Sequence, residues 1–278
     1  MASLFLINNQ WVDANQPHFP PTFRGYRYGD GFFESLRFEN GRVLHLLLHA
    51  ERIRKSALLL KLNLPSAWDE IAWETQITAA CQKAGFKQAR IRLSFIRDTD
   101  GFYTPDNNEV CVITEIQEEE QSGYPWLEKG LSVGTYKEMS KNNNYTSTLK
   151  TCSSLIYTMA GIYAKERGLD ECLIFNDYGR PCEGVSTNVF IVANEFVITP
   201  PISEYCIDGI MRKVVMQLAA GYGYSVQERP ITEVELSAAD EIFFTTATRG
   251  ILWTANYQGK PMKNSVSKVL YDQLVKSL

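Results

Sequence analysis

An amine and a carboxylate 33 positions apart carry the clearest chemical signal in this chain: Lys150 in TLKTCSSLIYTMAG and Glu183 at the head of EGVSTNVF. A lysine amine condenses with an aldehyde to give an imine. A carboxylate beside a pyridine nitrogen keeps that nitrogen protonated, which makes the ring an electron sink. The two residue types together point to pyridoxal 5′-phosphate chemistry, with Lys150 as the catalytic amine and Glu183 as the partner of the ring nitrogen.

Three further features suit the phosphate of such a cofactor. IDGIMRKVVMQLA puts Gly209 at the mouth of a helix, where the backbone N–H groups of Ile210 and Met211 and the positive end of the helix dipole can hold an anion. Ser186 and Thr187 add hydroxyl donors. Arg52, in HAERIRKSA, adds the charge and the two-pronged fork that a dianion favours. Each feature alone is ordinary: a glycine before a helix is usually a turn residue, a Ser-Thr pair usually a turn, a helical arginine usually a solvated charge. Their order and spacing give them joint weight.

The elements that must position these residues can be read from periodicity. LFLINNQWV suggests strand, turn and strand, and GDGFFESLRFENGRVL a hairpin turning at Glu39, Asn40 and Gly41. A helix begins near Leu46, with Leu47, Leu48, Ile53, Ala57, Leu58 and Leu60 expected on its apolar face, and ends by Pro65. Residues 67 to 84 repeat the helical pattern more weakly, ARIRLSFIR alternates as a half-buried strand, and CVITEI is another strand. The acidic EEEQ followed by Ser122, Gly123, Tyr124 and Pro125 resists packing and marks a linker over 121–126, between a small domain over 1–120 and a larger one over 127–278. Beyond it come the strand LSVGTY, a polar NNNYTS loop, a helix after Lys150, the strands CLIFN, NVFIV and FVITP, a helix from about Gly209 to Ala220, the strand-rich EIFFTTATRGILWTA and a terminal helix.

Composition narrows the function classes. With 278 residues and 45% hydrophobic content the chain can fill two cores. A net charge of −4, with Lys and Arg spread along the chain, gives no footprint for nucleic acid. The apolar start is too short for a secretory segment and no run is long enough to span a membrane, so a soluble cytoplasmic protein is expected. Six dispersed cysteines without a CxxC pair suggest neither a metal site nor a disulfide framework. The three histidines, His18, His45 and His49, all lie in the first fifth of the chain, which leaves a Ser-His-Asp arrangement strained.

In order, RYGDGFFESLR, HAERIRKSA, LKTCSSLIYTMAG, GLDECLIFNDYGRPCEGVSTNVF, TPPISEYCIDGIMR and ADEIFFTTATRGI resemble the class IV, or fold type IV, aminotransferases over nearly the whole chain. The resemblance implies an α+β, two-domain fold type IV pyridoxal phosphate enzyme. Its small N-terminal domain would be an α/β sandwich, and its larger C-terminal domain would have a β-barrel-like core. It makes Lys150 the imine-forming lysine, Glu183 the ring-nitrogen partner and Arg52 a phosphate ligand. Ile207 would lie against the ring, Ser186 or Thr187 would bond near it, Gly209 with Ile210 and Met211 would offer backbone donors, and Thr246 would offer a hydroxyl on the phosphate side. A homodimer is implied as well, with amino acids and oxo acids as small-molecule partners.

The family comprises branched-chain aminotransferases, D-amino-acid aminotransferases, R-selective amine aminotransferases and aminodeoxychorismate lyases, and the chain departs from two of these patterns. Ser153, Ser154 and Leu155 replace the Gly-Asn-Tyr of branched-chain enzymes, and Arg97, Asp98 and Thr99 replace the Arg-x-His trap of D-amino-acid enzymes. Arg27 and Arg97 border the substrate side by that resemblance, and two guanidinium groups suit a dicarboxylate such as glutamate. The expected activity is an aminotransferase acting on D-amino acids with 2-oxoglutarate or pyruvate as acceptor. Aminodeoxychorismate lyase, which eliminates pyruvate, is the alternative.

Overall fold

The computed structural model describes residues 3–66 and 68–278, so residue 67, where the second helical pattern was expected to begin, lies outside the described residues. The chain divides into two compact units. One comprises Met1–Ser122 with Leu149–Ser153, the other Gly123–Thr148 with Ser154–Leu278. The five-residue stretch around Lys150 thus belongs with the N-terminal unit although it lies far along the chain.

In the first unit, β1 (Ser3–Ile7), β2 (Gln10–Val12), α1 (Arg24–Tyr28), β3 (Gly31–Glu39), β4 (Arg42–Val43), α2 (Leu46–Leu59), α3 (Glu70–Ala84), β5 (Gln88–Arg97) and β6 (Val110–Glu118) follow in order. The strands form one antiparallel sheet in the order β2-β1-β6-β5-β3-β4. Ile91, Leu93 and Phe95 of β5 join Ile53 and Ala57 of α2 and Trp73 and Ile77 of α3 in a single apolar cluster. The β3–β4 turn uses Asn40 and Gly41 at positive φ, 49° and 88°, the backbone that suits a tight hairpin.

α2 buries Ile53 and Ala57 as expected, with Leu60 packed against the same core, but its inward face also takes in polar residues and leaves two of the leucines outside. His49, Ala50, Arg52, Ile53, Ser56 and Ala57 are buried, whereas Leu47 and Leu58 are 68% and 78% exposed. The reason is tertiary: Glu34 of β3 lies under the helix and compensates the burial of His49 and Arg52.

The second unit contains β7 (Leu131–Lys141), α4 (Leu155–Glu166), β8 (Glu171–Asn176), β9 (Pro181–Gly184), β10 (Asn188–Ala193), β11 (Phe196–Thr199), α5 (Ile210–Gly221), β12 (Ser225–Glu228), α6 (Glu233–Ala238), β13 (Glu241–Thr246), β14 (Gly250–Tyr257), β15 (Lys260–Pro261) and α7 (Ser265–Lys276). Following the pairings β10-β13-β14-β7-β8-β9 returns to β10 through Asn188 opposite Glu183, so six strands close a barrel. This is the two-part, barrel-containing architecture expected of fold type IV. Val189, Ile191, Ile242, Phe244, Leu173 and Val133 fill a core on this sheet. The closing pair Glu183–Asn188 places the candidate carboxylate on the barrel seam. Among the described residues no helix is long and apolar enough to cross a membrane.

Candidate active site

Glu183 is 2% exposed, and its carboxylate is held from three directions. Oε1 accepts from the ammonium of Lys141 and from the Tyr157 hydroxyl at 2.7 Å, while Oε2 accepts from the backbone N–H of Ile207 at 2.8 Å. A carboxylate offers about four lone-pair directions, so one acceptor direction remains, on Oε2. Burial first, and then the Glu183 charge, push the Tyr157 hydroxyl well above its usual value, so Tyr157 stays a neutral donor at neutral pH.

The segments containing Glu183 and Gly209 meet through Asn188. Its side-chain amide donates to the Ile207 carbonyl at 2.8 Å, so the N–H and the C=O of Ile207 are both held, one by Glu183 and one by Asn188. Gly209 is the residue before α5, and a Cβ there would lie 1.8 Å from Asn188 Oδ1, a separation no side chain allows. No side chain caps this helix, which leaves the amides of Ile210 and Met211 at an uncapped N-terminus. Thr187 turns elsewhere: its hydroxyl donates to Glu171 Oε2 at 3.0 Å. Glu171 also accepts from the amides of Val185 and Cys172, and it braces the β9–β10 turn as a buried carboxylate whose pKa burial raises. Ser186 is exposed and lines an open cavity of about 480 Å³ with Lys165, Glu171 and Arg249. Thr246 ends β13, opposite Gly250 across the hairpin.

The first unit holds the other candidates. Arg52 grips Glu34 with two bonds, Nε to Oε1 at 2.7 Å and Nη2 to Oε2 at 2.5 Å, and His49 Nδ1 lies 2.6 Å from Oε2. Burial pushes the Glu34 carboxyl up, but Arg52 and His49 outweigh it and hold the pKa down at about 2. Lys150 is tied to the start of β3, its carbonyl accepting from the Phe33 amide at 3.0 Å while the Cys152 amide donates to the Gly31 carbonyl. Gly31 is obligatory there, because a Cβ would come 2.4 Å from the Phe95 carbonyl. The Lys150 ammonium lies 4.5 Å from the centre of the Phe33 ring, and the Arg92 guanidinium lies 3.6 Å from the same ring.

Arg97 does not have the surroundings of a substrate ligand. It is 7% exposed, and its guanidinium donates to Asp30, to Asn108 Oδ1 and to the carbonyls of Leu60 and Lys61. Asp30 is gripped from its other side by Arg24, so the aspartate of the GDG turn is a fold clamp between two arginines. Arg27 is exposed in the last turn of α1 and pairs with no carboxylate among the described residues. The sequence reading missed Lys141, Tyr157, Arg92 and Glu171. For Arg92 a signal existed: Ile91, Leu93 and Phe95 define the buried phase of β5, Arg97 continues that phase, and Arg92 stands on the other.

The family model described as amino-transferase class IV matches residues 31–256. The chain belongs to the class IV aminotransferases. A putative branched-chain-amino-acid aminotransferase of Methanocaldococcus jannaschii is 27% identical to it over 267 residues, spanning 93% of this chain and 89% of that protein. A D-alanine aminotransferase of Bacillus licheniformis is 26% identical over 265 residues, spanning 92% and 88%. Among solved structures, the branched-chain aminotransferase of the thermophilic archaeon Thermoproteus uzoniensis, with norvaline, superposes with a TM-score of 0.87 at 24% identity, covering 98% of this chain and 94% of that one. That last likeness is one of fold.

Class IV aminotransferases use pyridoxal 5′-phosphate and act on amino acids and oxo acids. This aminotransferase fits the cofactor on observations within each unit. The second provides a buried carboxylate with one acceptor direction left and an uncapped helix N-terminus cleared by Gly209. The first provides an amine and a guanidinium beside one aromatic ring.

Proposed function

We propose that this class IV aminotransferase moves an amino group between an α-amino acid and a 2-oxo acid, with 2-oxoglutarate or pyruvate as acceptor and Lys150 as its catalytic amine. The observation that carries the reading is Glu183, a buried carboxylate fixed by three donors and left with one acceptor direction, as the partner of a protonated ring nitrogen requires. When bound, the cofactor supplies the electron sink for the substrate's α-carbon. Lys150 then moves the proton at that carbon, and Glu183 holds the proton on the ring nitrogen. Arg52 and the amides of Ile210 and Met211, with Gly209 making room, serve the phosphate. The hydroxyls of Ser186 and Thr246 are assigned to the same group, and Thr187 supports it indirectly through Glu171.

For the substrate carboxylate we assign Arg92 in place of Arg97. Arg92 keeps 39% of its side chain exposed, with Glu115 no nearer than 3.8 Å, and it stacks on the ring that Lys150 also approaches. Arg27 is the second basic group, since its guanidinium is exposed. Two guanidinium groups, Arg92 and Arg27, thus remain for a dicarboxylic substrate, and D-amino acids are the donors proposed. A homodimer, by family resemblance, and a cytoplasmic location, by the sequence reading, complete the proposal.

The test is a half-reaction. D- and L-alanine, glutamate and leucine are added singly to the cofactor-loaded protein while its absorbance is followed. Conversion to the pyridoxamine form, reversed by 2-oxoglutarate, supports the reading and assigns the hand. If no amino acid shifts the band while aminodeoxychorismate yields pyruvate and p-aminobenzoate, the protein is the lyase instead.

A further inference from the structure

We propose that Lys141 is a positioning residue for Glu183: its ammonium shares the carboxylate's charge and so sets how tightly Glu183 grips a protonated ring nitrogen. This rests on the assignment of Glu183 made above. Lys141 is 6% exposed, and its three donors go to Glu183 Oε1, to the Tyr157 oxygen at 2.8 Å and to the Ser147 carbonyl at 2.8 Å. It has no N–H left for substrate, so it acts only through the groups it holds, and of these only Glu183 is charged.

Its placement is specific. The β7–β8 register shifts between Tyr136 and Ser140, and beyond this irregularity Lys141 pairs with Asn176 at the end of the strand. Such shifts re-aim side chains. Tyr157 accepts from Lys141 and donates to Glu183, so the three groups form a closed triangle around Oε1. Tyr157 and the Ile207 amide would still orient the carboxylate without Lys141. The ammonium therefore contributes charge above all: an anion shared with an adjacent cation attracts a further cationic donor less strongly, most of all where little water screens them.

A buried ion pair can also be simply part of the fold, and the experiment separates the two roles. The full-length protein is stripped of cofactor and titrated with pyridoxal phosphate and with its 1-deaza analogue, in which carbon replaces the ring nitrogen. Phosphate and imine contacts are common to both, so the ratio of the two Kd values reads the grip on the nitrogen alone.

We expect Lys141→Met to raise the preference for the nitrogen-bearing cofactor roughly tenfold, the equivalent of about one pKa unit. Lys141→Arg should keep the wild-type ratio and Glu183→Gln should erase the preference. Lys141→Gln, which retains donors without the charge, gives the same reading if the Met variant does not fold. An unchanged or lowered ratio in the neutral variants, with Glu183→Gln still erasing the preference, overturns the role of Lys141 alone. A wild-type ratio in Glu183→Gln overturns the assignment of Glu183 and this proposal with it.

Discussion

Replacing Arg97 by Met tests whether its guanidinium belongs to the fold or to the substrate. The side chain is 7% exposed and bonds Asp30, Asn108 and two main-chain carbonyls, Leu60 and Lys61. Removing one partner of a buried charge pair costs about 3–5 kcal/mol. Asp30 would keep its 2.8 Å bond from Arg24 and is itself 21% exposed on its side chain, which favours the lower end. The stranded carbonyls of Leu60 and Lys61 add about 1 kcal/mol or more each where water cannot reach them. A total loss of about 5 kcal/mol follows, read as a lower guanidinium midpoint at unchanged slope. Trp68 and Trp73 pack in the same unit, and their fluorescence reports on its unfolding. Under conditions where the variant is folded, its KM for 2-oxoglutarate should stay within about threefold of wild type. Arg92→Met should do the reverse, changing stability by less than about 1 kcal/mol while raising KM about tenfold or more. Wild-type stability in Arg97→Met together with a roughly tenfold higher KM would refute the fold-clamp reasoning.

Acid should loosen the first unit through Glu34. Its folded pKa lies below the ordinary 4.5, at about 2, so its contribution is complete above about pH 4.5 and is lost as pH falls toward 2. The difference corresponds to about 3 kcal/mol, and Glu34→Gln should abolish that part of the pH dependence in denaturant titrations between about pH 5 and pH 2; a Gln variant with the wild-type slope would refute it. Gly209→Ala forces Asn188 away from the Ile207 carbonyl, since the new Cβ would stand 1.8 Å from Oδ1. A stability loss of about 1–3 kcal/mol and a roughly tenfold weaker cofactor Kd are expected by fluorescence titration, and unchanged affinity would remove the helix mouth from the phosphate site.

What the sequence made legible and what it hid divide along a physical line. Segments whose apolar residues repeat within one element were readable: the strands of CLIFN and NVFIV, the helix after Gly209, and the hairpin at Asn40 and Gly41 all form where periodicity and turn chemistry put them. Polar residues whose partners come from elsewhere were harder. The inward face of α2 was legible only in part: Ile53 and Ala57 are buried as expected, but counting leucines cannot know that Glu34, 15 positions before His49 and 18 before Arg52, makes the burial of those two polar residues tolerable. Family resemblance puts the segment of Arg97 on the substrate side, yet alternation along Ile91, Leu93 and Phe95 puts its side chain on the buried phase, where a charge must be matched by the fold. Phase along a strand thus adds evidence on an arginine's role that the likeness of its segment does not carry. Lys141 offered no such phase to read. The register shift after Tyr136 breaks the alternation that links it to the strand's buried residues, and its carboxylate partner lies 42 positions away. A residue placed by an irregularity is visible only once the neighbouring strand is known, and that is why the cation beside Glu183 had to come from the structure.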